Sequence, residues 1–290
     1  MIVLKFFIWQ KVFAGSFPDA LTAWLPAALA DLNIKIVIER DLKTFVDQLE
    51  TADVAWIFSG SSSGEIGETK QSWDFSKADF LRAIEAFHES GRGLALFTSG
   101  DPLYTEANAV LSKLYSVKLT NKVQGSDKMK KPAQNSNPLK EKKIDSSDEE
   151  SDEEELDKKA LETTTNTESK SLLTQHSLFY GVDALTEATV YSTLTPKGNG
   201  NIPEEIRTVA TSSSGAGTIF IREHDTYWPP KGRLLIDSAF RYYLSAEQSI
   251  NDYYCNAAVW LLSLDIRIRK LAPIQGSLLS PDTTVIPFSS

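Results

Sequence analysis

One turn in the chain places two hydroxyl side chains where they could act on a substrate. Thr98 and Ser99 follow an apolar strand candidate and precede a helix candidate. Strand-to-helix turns of α/β proteins present their side chains at the carboxyl edge of the sheet. A serine nucleophile there would need a base, for which His176 and His224 are the candidates. The Gly-x-Ser-x-Gly elbow is absent, since Phe97 stands two residues before Ser99, so a ligand contact or a plain tight turn are the alternatives.

Two other segments are predicted to reach the same edge. Asp237 ends an apolar strand candidate and Arg241 follows four residues later, so the two could face the crevice or pair with each other. The loop S-G-S-S-S-G at residues 59–64 has small side chains, which let backbone N–H groups approach an anion, although a flexible surface loop is the simpler interpretation. The candidate ligand-binding residues are therefore Ser59, Gly60, Ser61, Thr98, Ser99 and Arg241.

The cysteine and histidine content gives no metal-binding pattern. The chain has one cysteine and three histidines, and the histidines at 88, 176 and 224 have no zinc-finger spacing. Cys255 lies in a helix candidate that is apolar on nearly every face, which favours a packed and inert thiol. We predict no metal site and no cofactor, and we assign no chemistry to His88.

Composition limits the class of partner. The chain of 290 residues is 41% hydrophobic, which suffices for a sizeable core, and its formal net charge of -9 argues against a general nucleic-acid binder. Apolar runs stay shorter than the roughly 18 residues of a membrane-spanning helix. We predict a soluble protein of the cytoplasm or nucleus with a small polar ligand or a protein partner and no membrane association. The sequence leaves its oligomeric state open.

A polar tract interrupts the apolar pattern at residues 121–170. Its centre, Asp145–Asp157, holds nine acidic residues and no basic one, and lysines flank it. Such a composition buries too little apolar surface to offset the entropy of ordering, so we predict a disordered insert. It is either a solvated spacer or a regulated tract, because three serines precede acidic residues as in acidophilic phosphorylation sites: Ser146, Ser147 and Ser151. Such inserts favour a eukaryotic source.

The remaining residues, 1–120 and 171–290, alternate between strand and helix patterns. Apolar runs predict strands at 2–9, 34–38, 53–58, 94–97, 189–193, 207–210, 218–222 and 233–237. Helical spacing predicts helices near 16–32, 42–49, 80–91, 101–114 and 249–264. Because parallel strands need crossover connections, this order predicts one three-layer α/β domain with a mostly parallel sheet and helices on both faces.

Four stretches resemble the class I glutamine amidotransferase-like superfamily, a flavodoxin-like group that includes trehalose-utilisation-type and intracellular-protease-type domains. They are D-V-A-W-I-F-S-G at 53–60, F-L-R-A-I-E-A-F-H-E-S-G-R-G-L-A-L-F at 80–97, H-S-L-F-Y-G-V at 176–182, and G-R-L-L-I-D-S-A-F at 232–240 with N-A-A-V-W-L at 256–261. The resemblance implies a flavodoxin-like fold over most of the chain outside the polar tract.

Active members of the superfamily that this chain resembles carry a cysteine on the turn after the strand corresponding to Leu94–Phe97. This chain departs from them at that turn. The turn here reads F-T-S-G-D at 97–101, and the cysteine lies at 255. We therefore expect a catalytically degenerate amidotransferase-like domain that binds a ligand or a protein. The alternative is a hydrolase of a small polar substrate that uses Ser99 or an activated water with His176 or His224, assisted by Asp237.

Overall fold

A computed structural model describes thirteen parts of the chain. They are residues 2–8, 25–29, 32–59, 77–98, 104–124, 128–130, 174, 176–182, 184–186, 190–212, 214–223, 231–239 and 248–263. Within these residues, no helix is both long enough and apolar enough to cross a membrane.

Strands and helices of these residues match the predicted segments, except at 117–124, 128–130 and 184–186, where strands form that were not predicted. The strands are β1 Ile2–Ile8, β2 Ile34–Glu39, β3 Val54–Phe58, β4 Gly93–Phe97, β5 Val117–Gln124, β6 Lys128–Lys130, β7 Ala184–Thr186, β8 Val190–Pro196, β9 Ile206–Thr211, β10 Gly217–Arg222 and β11 Leu234–Asp237. The helices are α1 Leu42–Asp47, α2 Lys77–Glu89, α3 Thr105–Tyr115 and α4 Gln248–Leu261, and short 3₁₀ turns lie at Leu49–Thr51 and Ser177–Phe179. Of the helix predicted near 16–32, the described part is helical at 25–28.

A seven-stranded sheet in the order β2-β1-β3-β4-β11-β10-β9 forms the centre of the fold. The first five strands of this order pair in parallel, while β10 pairs antiparallel with both β11 and β9. The parallel part has the strand order of flavodoxin-like proteins, with β11 as the fifth strand. The prediction of a mostly parallel α/β sheet is therefore confirmed.

Side chains of the central strands alternate between two apolar cores. On β3, Trp56 and Phe58 face a core that includes residues of α4, whereas Ala55 and Ile57 face a core built with α1, α2 and α3. All five residues of β3 are buried, as expected for a strand covered on both faces. Helices therefore pack on both faces of the sheet, which is consistent with the predicted three-layer arrangement.

A close backbone approach fixes α4 against the start of β4. A Cβ atom at Gly93 would collide with the backbone carbonyl of Leu261, the last residue of α4. Glycine is therefore required at this position, because the helix end occupies the space that any larger side chain would need. The same contact sets how far α4 extends along its face of the sheet.

Two small antiparallel pairs, β5 with β8 and β6 with β7, accompany the main sheet. They correct the start of the polar tract: β5 continues to Gln124 and β6 covers Lys128–Lys130, although we predicted no regular structure from residue 121. The physical reason is that the hydrogen-bonding partners β8 and β7 lie more than 50 residues away, so composition does not reveal the pairing. Residues 131–170 of the tract lie outside the described residues.

Candidate functional site

Backbone hydrogen bonds align the carboxyl ends of β3, β4 and β11 at one edge. The Ser59 N–H donates to the Phe97 carbonyl at 2.8 Å, and the Thr98 N–H donates to the Asp237 carbonyl at 2.8 Å. Neighbouring strands lie about 4.8 Å apart. The structure therefore places three of the predicted site residues, Ser59, Thr98 and Asp237, side by side at the carboxyl edge.

Ser59 connects this edge to the beginning of α3. Its side chain is buried, and its Oγ accepts a hydrogen bond from the Ala107 N–H at 2.8 Å. An N–H in the first turn of a helix has no partner within the helix, so this hydroxyl satisfies one of the open donors of α3. The bond fixes the start of α3 next to the end of β3.

Thr98 holds a buried hydroxyl beside this helix start. The residue is 0% exposed, and its Oγ1 has no hydrogen-bond partner among the residues that the structure describes. Side chains alternate along a strand, and Phe97 packs in the core on the α4 side, so Thr98 faces the α3 side together with Ser59. A buried hydroxyl without a partner is uncommon in a folded protein and needs an explanation.

Sequence reasoning missed a buried carboxylate in the same place. Glu106, in the first turn of α3, is 0% exposed. An acidic residue in a first helical turn interacts favourably with the helix dipole, which is the usual reason for its presence on a surface helix. Its burial follows from the position of α3 against the sheet, which the sequence does not give.

Asp237 lies on the other face of the same edge, toward α4. Its Oδ1 accepts from the Ala239 N–H at 3.1 Å, and its Oδ2 accepts from the Tyr253 hydroxyl at 3.1 Å. Both Asp237 and Tyr253 are buried. The carboxylate is therefore held by a backbone donor and a phenol, and its predicted neighbour Arg241 lies outside the described residues.

His176 lies near the opposite edge of the sheet. Its Nε2 is 3.2 Å from Oε1 of Glu223, which directly follows β10. Arg222, the last residue of β10, pairs with Leu234 at the start of β11. Asp237 stands three residues further along β11, about 10 Å away along the strand. The structure therefore does not bring His176 to Asp237, while Gly60, Ser61, Ser99 and His224 lie outside the described residues.

Cys255 shows no sign of activation. It lies on α4 and packs against the core on that face of the sheet. Burial, with a smaller contribution from the negative charge of Asp252, raises the pKa of the Cys255 thiol to about 11. A nucleophilic cysteine needs the opposite shift, so this thiol is protonated at neutral pH. Over the described parts of the chain, no three His, Cys, Asp or Glu side chains converge as a metal site requires.

Known proteins resemble this chain in structure but not in sequence. No family model matches it, and no curated protein matches it. A ThuA-like protein from Bacteroides uniformis has a TM-score of 0.50 and 9% identity, over 90% of this chain and 91% of that chain. A cytoplasmic protein from Salmonella typhimurium has a TM-score of 0.48 and 14% identity, over 91% of this chain and 98% of that one.

At 9% identity, the likeness to the ThuA-like protein shows the fold and nothing finer. ThuA-like proteins have the class I glutamine amidotransferase-like fold, which the four sequence stretches resemble. The chain thus has an amidotransferase-like α/β fold, without a cysteine on the turn after β4.

Proposed function

We propose that this domain binds a small polar ligand at the carboxyl edge of β3, β4 and β11, and that it performs no cysteine chemistry. The observation that carries the proposal is the Thr98 hydroxyl, which is fully buried and has no partner among the described residues. Leaving a buried polar group unbonded costs about 1–3 kcal/mol. A ligand that bonds to this hydroxyl would recover that cost upon binding.

The surroundings of Thr98 support a ligand site at this edge. Open α/β sheets bind ligands in the crevice outside the carboxyl ends of their strands. Here Ser59 is hydrogen-bonded to the first turn of α3, and Asp237 is hydrogen-bonded to Tyr253 on the face toward α4. Rigid elements therefore hold the polar groups of this edge, as preorganised binding requires.

We infer a neutral or positively charged ligand from the acidic side chains at this edge. Two buried carboxyl side chains, Glu106 and Asp237, lie there. Carboxylates repel phosphate and other anions at short range, most strongly where water is excluded. We therefore expect hydroxyl, amide or amine groups on the ligand rather than phosphate groups.

Loss of amidotransferase chemistry is supported by two observations. The turn after β4 has no cysteine, and the Cys255 thiol has a pKa raised to about 11. The hydrolase alternative has less support, since its described histidine, His176, contacts Glu223 instead of Asp237.

A thermal-shift screen of the full chain tests the proposal. The panel contains neutral polyols, amides and amines, with phosphorylated compounds as a contrast. A ligand at 100 times its dissociation constant stabilises the native state by about 2.7 kcal/mol. We expect a compound that stabilises the wild type and stabilises Thr98→Val distinctly less, because the substitution removes one hydrogen bond to the ligand.

The matched control is Thr208→Val, the same substitution at an exposed position of β9. A compound that stabilises Thr98→Val as strongly as wild type and Thr208→Val would place the binding site elsewhere. A folded protein that responds to none of the panel would contradict the small-ligand proposal.

A further inference from the structure

Residues His176–Val182, which we call the strap, follow the polar tract in sequence and lie on the α4 face of the sheet. Leu178, Phe179 and Val182 are buried in the core there. The Asn256 side-chain amide of α4 donates to the carbonyls of Leu178 at 3.1 Å and Tyr180 at 2.7 Å. Apolar packing and hydrogen bonds from α4 therefore hold the strap. Its first residue, His176, makes separate contacts.

His176 anchors the start of the strap and uses both of its ring nitrogens. Its Nδ1 accepts a hydrogen bond from the Leu178 N–H at 3.2 Å, which caps the 3₁₀ turn Ser177–Phe179. Its Nε2 faces Glu223 Oε1 at 3.2 Å. A nitrogen that accepts a hydrogen bond carries no proton, so Nε2 carries the proton and donates it to Glu223. The geometry therefore requires the neutral imidazole.

Charged side chains surround this contact. Glu223 also contacts Arg207 and Arg233, each at 3.3 Å, so one carboxylate already faces two guanidinium groups. The Arg233 guanidinium lies over the Trp260 ring at 5.1 Å, and His176 meets the same ring edge-on at 5.5 Å. A protonated His176 would add a third positive charge to this cluster.

Four elements contribute to this environment: β9 with Arg207, the end of β10 with Glu223, the start of β11 with Arg233, and α4 with the uncharged Trp260. The hydrogen bond from His176 is the largest cause that lowers the pKa of Glu223, followed by the charge of Arg233, although burial acts in the opposite direction. Glu223 therefore remains ionised in the mildly acidic range in which histidines titrate.

We propose that His176 is a pH-sensitive latch of the strap: a proton on Nδ1 breaks the bond to the Leu178 N–H and loosens the strap on the α4 face. The inference goes beyond the proposed ligand site, which lies at the other edge of the sheet. Residue 174, just before the strap, donates its backbone N–H to the Val209 carbonyl on β9 at 3.0 Å. Acidification thus loosens the point at which the polar tract rejoins the fold.

The first test reads the tautomer in the wild-type full chain. Long-range proton–nitrogen NMR correlations of the His176 ring distinguish a protonated Nε2 from a protonated Nδ1. The latch requires the neutral ring with the proton on Nε2 at pH 7.5. A ring that carries its proton on Nδ1, or on both nitrogens, at this pH would overturn the proposal.

The second test follows hydrogen exchange of the strap at pH 7.5 and 5.5, after correction for intrinsic exchange rates. Loss of one hydrogen bond changes local stability enough to reduce protection of the strap about fivefold at pH 5.5. The matched variant is His176→Asn, since asparagine caps a helical turn well but does not titrate. Strap protection should not depend on pH in this variant, while β4 serves as the internal reference in both proteins.

Two results would overturn the latch: equal strap protection of the wild type at both pH values, or the same acid-induced loss in His176→Asn. If His176→Asn does not fold, the NMR measurement on the wild type decides alone.

Discussion

Replacing Thr98 by valine should stabilise the protein in the absence of ligand. Valine exchanges the hydroxyl for a methyl group and keeps the branched shape, so packing at this fully buried position changes little. The hydroxyl has no partner among the described residues, and an unpartnered buried hydroxyl costs about 1–3 kcal/mol. We therefore expect Thr98→Val to raise the free energy of unfolding by about 1–2 kcal/mol.

Ser59 carries a second hydroxyl at the same edge, and its removal should change the free energy of unfolding in the opposite direction. Ser59 is equally buried, but its Oγ accepts the Ala107 N–H at 2.8 Å. Ser59→Ala leaves this N–H without its partner, so the free energy of unfolding should fall by about 1–3 kcal/mol. The two substitutions remove the same chemical group, and the structure predicts opposite effects because only one hydroxyl is bonded.

Urea unfolding at 25 °C measures both effects. The midpoint should rise for Thr98→Val and fall for Ser59→Ala, with slopes equal to that of the wild type, because neither substitution changes the surface exposed on unfolding. A lower midpoint for Thr98→Val would show that the hydroxyl is bonded within the native protein. The reasoning for a ligand contact at Thr98 would then be refuted.

Three further predictions test the packing and the chemistry. Gly93→Ala should lower the free energy of unfolding by about 3 kcal/mol or more, because the added Cβ meets the backbone at the end of α4. The control is Gly200→Ala, where the nearest atom to an added Cβ lies at 3.9 Å. Equal urea midpoints for the two variants would contradict this packing. Tyr253→Phe should cost about 1.5–3 kcal/mol in the same assay, since it removes a hydrogen bond to the buried Asp237 carboxylate, and an unchanged midpoint would show that the bond contributes nothing. Alkylation of native Cys255 by iodoacetamide should be slow at pH 7.5 and accelerate about tenfold per pH unit up to a thiol pKa of about 11, and a plateau below pH 9 would contradict the raised pKa.

The sequence predicts most of the α/β framework because the spacing of apolar residues along each element matches the faces that the fold buries. The apolar runs at 53–58 and 94–97 predict central strands, and β3 and β4 are buried on both faces as such runs require. Helical spacing likewise predicts α2 and α4, and the predicted ends lie within a few residues of the observed ones. These elements follow from apolar runs and helical spacing, which can be read from a single sequence.

Features that depend on distant partners were not predictable in this way. The strand β5 begins next to α3 and pairs with β8 across the polar tract, so composition alone suggested that regular structure ends earlier. His176 was predicted as a base at the carboxyl edge, but Glu223 holds it near the other end of β11. Its place follows from the strand order and from the antiparallel direction of β10, which the sequence leaves open.

A crystal structure of the full chain with the compound that stabilises it most in the thermal-shift screen tests the central claim most directly. We predict that the compound lies at the carboxyl edge of β3, β4 and β11, with a polar atom within about 3.2 Å of Thr98 Oγ1. A compound bound elsewhere, or a Thr98 hydroxyl bonded to another group of the protein, would contradict the claim.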